Sequence, residues 1–227
     1  MQFHVVTLFP EVIDAYAQAS ILGRAQKGKL VKVTSYQLRD FVTNKWGKAD
    51  ERPYGGGPGM VLTAEPFVKA VRSIESIVNR KKLKTKDYRL KTKILVTSAG
   101  GKQLTNAYAK NLTKKYSDIV ILCGRYEGID ARVKKMLKAE EISVGPYVLT
   151  GGELPALTII DAAVRHIPGV LGKLESLEEG RVASHDVYTR PEIIEHKGKK
   201  YRVPKVLLSG HHGKIDEQRA KKRSRPQ

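Results

Sequence analysis

Between residues 123 and 155 the chain reads CGRYEGID and then, after a short helical segment, SVGPYVLTGGELP, with glycines at 124, 128, 145, 151 and 152. Just upstream, DIVIL (118–122) is an apolar run of strand length, and just downstream, ALTIIDAAV (156–164) is a nearly all-apolar helix ended by Pro168 and Gly169. Each glycine taken singly reads as a turn residue, because glycine dominates turns for steric reasons. Five of them at loop positions between two buried elements read differently. Without Cβ atoms, the loop backbone can bring its N–H and C=O groups up against a ligand.

The rest of the chain supplies the frame for that loop. Residues 3–9 form an apolar strand, Pro10 suits the first position of a helix from Glu11, and Gly23 and Gly28 mark its end. Residues 31–38 are β-branched enough for a second strand. The polar, glycine-rich stretch 44–60 is expected to be irregular; its GGGPG lacks the Lys-Ser/Thr that completes a phosphate-binding loop. Thr63 is a suitable N-cap for a helix carrying Phe67, Ala70, Val71, Ile74 and Val78 on one face. Further strands are expected at 93–98, 118–123 and 140–145, separated by helices over 105–115 and 129–137. That alternation predicts an α/β fold with a mostly parallel sheet and helices on both faces. No GxGxxG follows the first strand, so a Rossmann dinucleotide site is not indicated. Periodicity fades over 171–186, a linker pattern, and residues 214–225 read as one charged helix or a loose arm.

Composition speaks to partners. The formal net charge is +19, with eight Lys/Arg against one Asp in 79–93 and twelve against four acids in 189–227. Nucleic acid fits such clusters. An anionic membrane fits less well, because the basic runs lack an opposing apolar face. No apolar run is long enough to span a membrane, and the first residues lack a basic start and long apolar core, so a cytoplasmic protein is expected. The single cysteine, Cys123, closes a buried strand and reads as a small hydrophobe. No metal-ligand spacing appears, the adjacent His211 and His212 included.

Several blocks point further: RPYGGGPGM (52–60), CGRYEGID (123–130), VLTGGELPA (148–156), IPGVLG (167–172), YTRPE (188–192) and LSGHH (208–212). In these residues and their order the chain resembles the bacterial tRNA (guanine-N1)-methyltransferases, knotted-fold enzymes that methylate guanine 37 beside the anticodon. The resemblance spans nearly the whole chain, although the last stretch of the usual member has no counterpart here.

The resemblance implies a deep C-terminal trefoil knot in a methyltransferase domain over 1–172, a linker over 173–188 and a small, shortened basic tRNA-binding domain over 189–227. It implies S-adenosylmethionine as methyl donor, held by Thr97, Ser98, Gly124, Val144, Gly145, Pro146, Tyr147, Val148 and Leu149, with Gly151, Gly152 and Pro155 shaping the wall. It also implies a homodimer with the pocket between subunits, tRNA as partner, and magnesium dependence. Asp50 and Arg52 are expected near the RNA, and Arg125 and Glu127 at the target guanosine. Guanine N1 carries a proton at neutral pH, so a general base is needed, and charge developing toward O6 calls for a cation. Arg165 matches the cation. For the base, an ungapped register places Gly180 where the family has an aspartate. Glu179, then Asp186, then Glu178 are the nearby acids that could substitute. Two other readings remain: a related enzyme acting on another RNA nucleoside, and a basic RNA binder that has lost catalysis.

Overall fold

The computed structural model describes residues 1–85, 91–171 and 186–221. In chain order, strand β1 (Gln2–Thr7) leads into helices α1 (Pro10–Ala17) and α2 (Ser20–Lys27), then β2 (Lys32–Gln37) and a short 3-10 turn, Leu38–Phe41. Two short strands, β3 (Asp50–Glu51) and β4 (Val61–Leu62), pair antiparallel around the glycine-rich loop. They are followed by α3 (Ala64–Thr85), β5 (Thr92–Gln103), α4 (Asn106–Lys115), β6 (Asp118–Leu122), α5 (Arg132–Leu137), β7 (Glu140–Ser143) and α6 (Glu153–Val164).

Strands β2-β1-β6-β5-β7 form one sheet, and every pairing in it is parallel. Parallel strands need crossover helices, which cover both faces, so the inner strands read as continuous apolar runs. All five residues of β6 are buried accordingly. Alternation along the strands sorts side chains between two cores. Phe3, Val5, Leu95, Ile119 and Ile121 pack with Ile13, Leu22, Leu112 and Ile160 from α1, α2, α4 and α6. Val6, Val96, Val120 and Leu122 pack with Phe67, Val71 and Ile74 of α3 and Val133 of α5.

Several boundaries differ from the sequence expectation. Gly23 does not end a helix but lies inside α2, where a Cβ would stand 2.2 Å from the Gln18 carbonyl oxygen; it permits the tight α1–α2 corner. α3 runs on through Arg80–Lys84, since Lys, Arg and Leu are good helix formers with no Gly or Pro among them. β5 extends past Ser98 through Gly100 and Gly101 to Gln103, with a register shift between Thr97 and Lys102 against β7. The helix expected from 129 begins only at Arg132.

The chain divides into two compact units, Met1–Leu171 and Gly172–Gln227. The second unit holds a hairpin of β8 (Ile193–His196) and β9 (Lys199–Arg202), then α7 (Lys205–Leu208) and α8 (His212–Lys221). Among the described residues no helix is long and apolar enough to cross a membrane.

At the amino ends of the strands, Asp118 is wholly buried, with one carboxylate oxygen 3.2 Å from His4 Nε2 and the other accepting from Ser117 Oγ at 2.7 Å. Burial alone would push this carboxyl up. The His4 and Ser117 hydrogen bonds and the charge of Lys81 outweigh that and hold it below the usual carboxylate range. A carboxyl depressed in the folded state contributes stability above its unfolded value and loses it as pH falls through the folded one. Asp118→Asn is therefore expected to flatten the acid limb of a stability–pH curve, with melting temperature across the acid range as the measurement.

Candidate active site

β5 at its irregularity after Thr97, together with the carboxyl ends of β6 and β7, opens into one cleft of about 300 Å³. This is where open parallel sheets place ligands, because the loops leaving neighbouring strands diverge there. Thr97, Ser98 and Ala99 come from β5, Gly124–Ile129 from the loop after β6, and Glu141–Gly145 with Tyr147–Gly152 from β7 and the loop before α6. Of the residues the resemblance points to for cofactor binding, Thr97, Ser98, Gly124, Val144, Gly145, Tyr147, Val148, Leu149, Gly151, Gly152 and Pro155 all line this cleft. Pro146 is exposed and is not part of the lining. Of the expected RNA contacts, Arg125 and Glu127 line it too.

The cleft is walled largely by backbone. Gly152 N–H donates to the Gly124 carbonyl at 2.8 Å, and Arg125 bridges antiparallel to Gly151, so the two glycine loops are tied together. A Cβ on Gly152 would lie 2.2 Å from Thr97 Oγ1 and 2.7 Å from Cys123 Cα, so no other residue fits without turning the Thr97 side chain and displacing the backbone at the end of β6 or the start of α6. Cys123 beneath it is buried. Burial, then the charge of Glu153, pushes its thiol well up against the opposing pull of Arg125, so it is an inert packing group rather than a nucleophile. Of the lining, Tyr147 and Val148 are 54% and 85% exposed, and Leu154, just after Gly152 and Glu153, is 58% exposed.

The 44–60 loop reaches this site at its far end. Glu127 N–H donates to Met60 O at 3.0 Å, and Leu62 exchanges backbone hydrogen bonds with Gly128 and Asp130. Gly59 adopts φ +84°, where a Cβ would come within 2.5 Å of the Glu127 carboxylate. Asp50, in β3, and exposed Arg52 are not among the residues lining the cleft; β3 pairs with β4, which reaches it.

Arg165 is not at the cleft of its own chain. It is the C-cap of α6, whose N-cap is Gly152, and a helix of 12 residues separates the two; at about 1.5 Å per residue that is roughly 18 Å. Asp186 lies in the second unit, beside Val187, Tyr188 and Ile215 in a groove of that unit. Glu178, Glu179 and Gly180 lie outside the described residues. Residues at the cleft that the sequence motifs did not single out include Tyr126, Glu141, Ser143 and Thr150. Their signal was adjacency alone, as each sits within or directly beside a glycine block. Glu141 is in addition tied by an ion pair to Lys134. Among the described residues no group of three or more His, Cys, Asp or Glu is placed to hold a metal ion.

Comparison with known proteins places this geometry. The tRNA (guanine-1)-methyltransferase TrmD family profile matches residues 1–226. A tRNA (guanine-N(1)-)-methyltransferase of Clostridioides difficile is 42% identical over 223 residues, covering 96% of this chain and 90% of the relative. The protein of the same description from Dictyoglomus turgidum is 42% identical over 97% of this chain and 84% of its own. That from Nitrosomonas europaea is 41% identical over 96% of this chain and 78% of its own. With matches of this extent through both glycine loops and the cleft they build, the chain belongs to the tRNA (guanine-1)-methyltransferase family.

Proposed function

We propose that the chain methylates N1 of guanine 37 in tRNA, using S-adenosylmethionine bound in the cleft that β5, β6 and β7 open into. The observation that carries this reading is that cleft: a backbone-lined crevice of about 300 Å³, walled by two tied glycine loops, in a chain of this family. The lining fits the cofactor. Backbone amides and carbonyls around Gly124 and 144–149 can read an adenine edge, and Tyr147, Val148 and Leu149 offer apolar faces. S-adenosylmethionine would supply a sulfonium methyl for in-line transfer. Glu127, exposed at the mouth, is an acceptor for the N1–H and N2–H edge of guanine. Arg165 stabilises the charge that develops toward O6 as the proton leaves. Glu179 takes that proton, with Asp186 and then Glu178 as the alternative bases.

The distance of Arg165 from its own cleft supports a homodimer, in which each cleft receives Arg165 from the second copy. Exposed Tyr147, Val148 and Leu154 would then be covered by the partner. A deep trefoil knot at the C-terminal side of the sheet and tRNA binding by the basic second unit complete the reading. The substrate places the reaction in the cytoplasm. For magnesium, no group of three or more His, Cys, Asp or Glu is placed to hold it among the described residues.

The test is transfer of labelled methyl from S-adenosylmethionine to unmodified tRNA transcripts bearing guanine or adenine at position 37. Label on the guanine transcript alone is expected. Label on both would move the target elsewhere on the RNA, and tight binding without label would favour a catalytically lapsed binder. In the same assay Glu179→Gln is expected to lower the rate by 10²-fold or more, the usual contribution of a general base being about 10²–10⁴. Full rates for both Glu179→Gln and Asp186→Asn would remove the assignment.

A further inference from the structure

Beneath the cleft lies a buried charge that the proposed chemistry does not use. Glu153 opens α6, a largely apolar helix, and is 2% exposed. A buried carboxylate is costly unless paired and hydrogen-bonded. Here one oxygen accepts from Thr7 Oγ1 at 2.6 Å, and the other stands 2.9 Å from Arg125 Nη2, an ion pair by distance though poorly aligned as a hydrogen bond. Thr7 ends β1, is itself fully buried, and also accepts from Phe9 N–H at 2.9 Å. The Arg125 guanidinium lies 4.5 Å over the Phe9 ring and donates to the Thr150 carbonyl at 3.3 Å. One arginine is thus clamped between the ends of β1, the loop after β6 and the loop before α6.

We propose that Glu153 is a positioning residue for the cleft: held by Thr7, it fixes Arg125 and through it the 124–128 wall. Arg125 lines the cleft, whereas Glu153 and Thr7 do not, so they act through it. A pair serving only the fold would have no reason to join these three loops. This one sits where the two glycine loops meet, alongside the Gly152–Gly124 hydrogen bond. A preorganised wall lets the ligand bind without ordering the loop itself. The inference rests on the reading of the cleft as the cofactor site.

Glu153→Gln preserves shape and the acceptor for Thr7 but removes the charge that holds Arg125. Calorimetry with S-adenosylhomocysteine is expected to show affinity weakened about tenfold, the scale of losing one buried charge-pair contact. In the methylation assay KM for S-adenosylmethionine should rise by a similar factor, with kcat at saturation changed far less. In an Arg125→Ala background the Glu153→Gln change should add little, because the contact through which it is proposed to act is gone. Equal losses in both backgrounds, or unchanged affinity in a folded variant, would overturn the proposal. Should Glu153→Gln fail to fold, Thr7→Val gives the same test with a smaller loss, and unchanged affinity there would count equally against it. Amide hydrogen exchange separates this inference from the cofactor reading. If the wild type binds no S-adenosylhomocysteine, that reading fails, yet faster exchange across 124–128 in Glu153→Gln, with β2 unchanged, would still support the positioning role. Unchanged exchange at 124–128 would refute it.

Discussion

Arg165→Ala is expected to cut methyl transfer by about 10²–10³-fold, the effect of removing one preorganised group that stabilises developing charge, while S-adenosylhomocysteine affinity stays near that of the wild type. The separation follows from position. Arg165 caps the end of α6 remote from Gly152 and is not among the residues that line the cleft of its own chain. A 12-residue helix holds the two apart, at roughly 18 Å by its rise, further than an arginine side chain reaches. If the proposed homodimer forms, the same geometry makes a sharper prediction for mixed dimers. When Arg165→Ala chains are combined with equal amounts of chains whose cleft is closed by Gly152→Val, each mixed dimer has one cleft that is intact and faces an intact Arg165. Random pairing then restores about a quarter of the wild-type rate from two inactive parents, since a two-fold dimer carries two equivalent sites. If each chain used its own arginine, no mixed dimer could work, and the mixture would stay as inactive as its parents.

The parts of this protein legible in its sequence are those decided locally. β6 is readable because a central strand of a covered parallel sheet must be apolar throughout, and DIVIL is nearly so. α3 is readable at its amino end from Phe67, Val71 and Ile74, but its length is not, because the basic run that follows looks like a solvated connection whether or not it is helical. The extension of β5 through Gly100 and Gly101 is set by a neighbour: a Cβ at Gly101 would strike the Glu141–Ile142 backbone at 2.6 Å, a contact no local propensity reports. The β8–β9 hairpin carries a local signal in the Lys-Gly pair between its strands. Lys197 and Gly198 both take positive φ, 51° and 71°, as a two-residue hairpin turn requires. In the cleft the glycine blocks were visible as blocks. The Thr7–Glu153 bond was not, because its partners stand 146 positions apart and a lone acid after Gly-Gly looks like an ordinary first-turn residue of a helix.

Gly152→Ala is expected to be the most damaging single-methyl change in the cleft, abolishing measurable cofactor binding while leaving the second unit folded. The added Cβ would meet Thr97 Oγ1 at 2.2 Å, Cys123 Cα at 2.7 Å and Gly124 N at 2.8 Å. A serine or threonine hydroxyl can rotate away, but the Cys123 and Gly124 atoms are backbone at the end of a fully buried strand. They move only if β6 moves or α6 withdraws. Withdrawal of α6 breaks the Gly152–Gly124 hydrogen bond and strains the Glu153 contacts to Thr7 and Arg125. Overpacking of this kind costs about 1–3 kcal/mol, small enough for the protein to stay folded but concentrated on the two loops that form the cleft. Melting temperature should therefore fall by a few degrees, whereas calorimetry with S-adenosylhomocysteine should show no heat of binding. Gly128→Ala is the control. A Cβ there meets nothing within 4 Å, although its φ of +116° adds backbone strain, so it should lower stability by a comparable amount and weaken binding far less. If both variants lost binding equally, backbone strain in the loop rather than the approach of Gly152 to β6 would be what shapes the cleft.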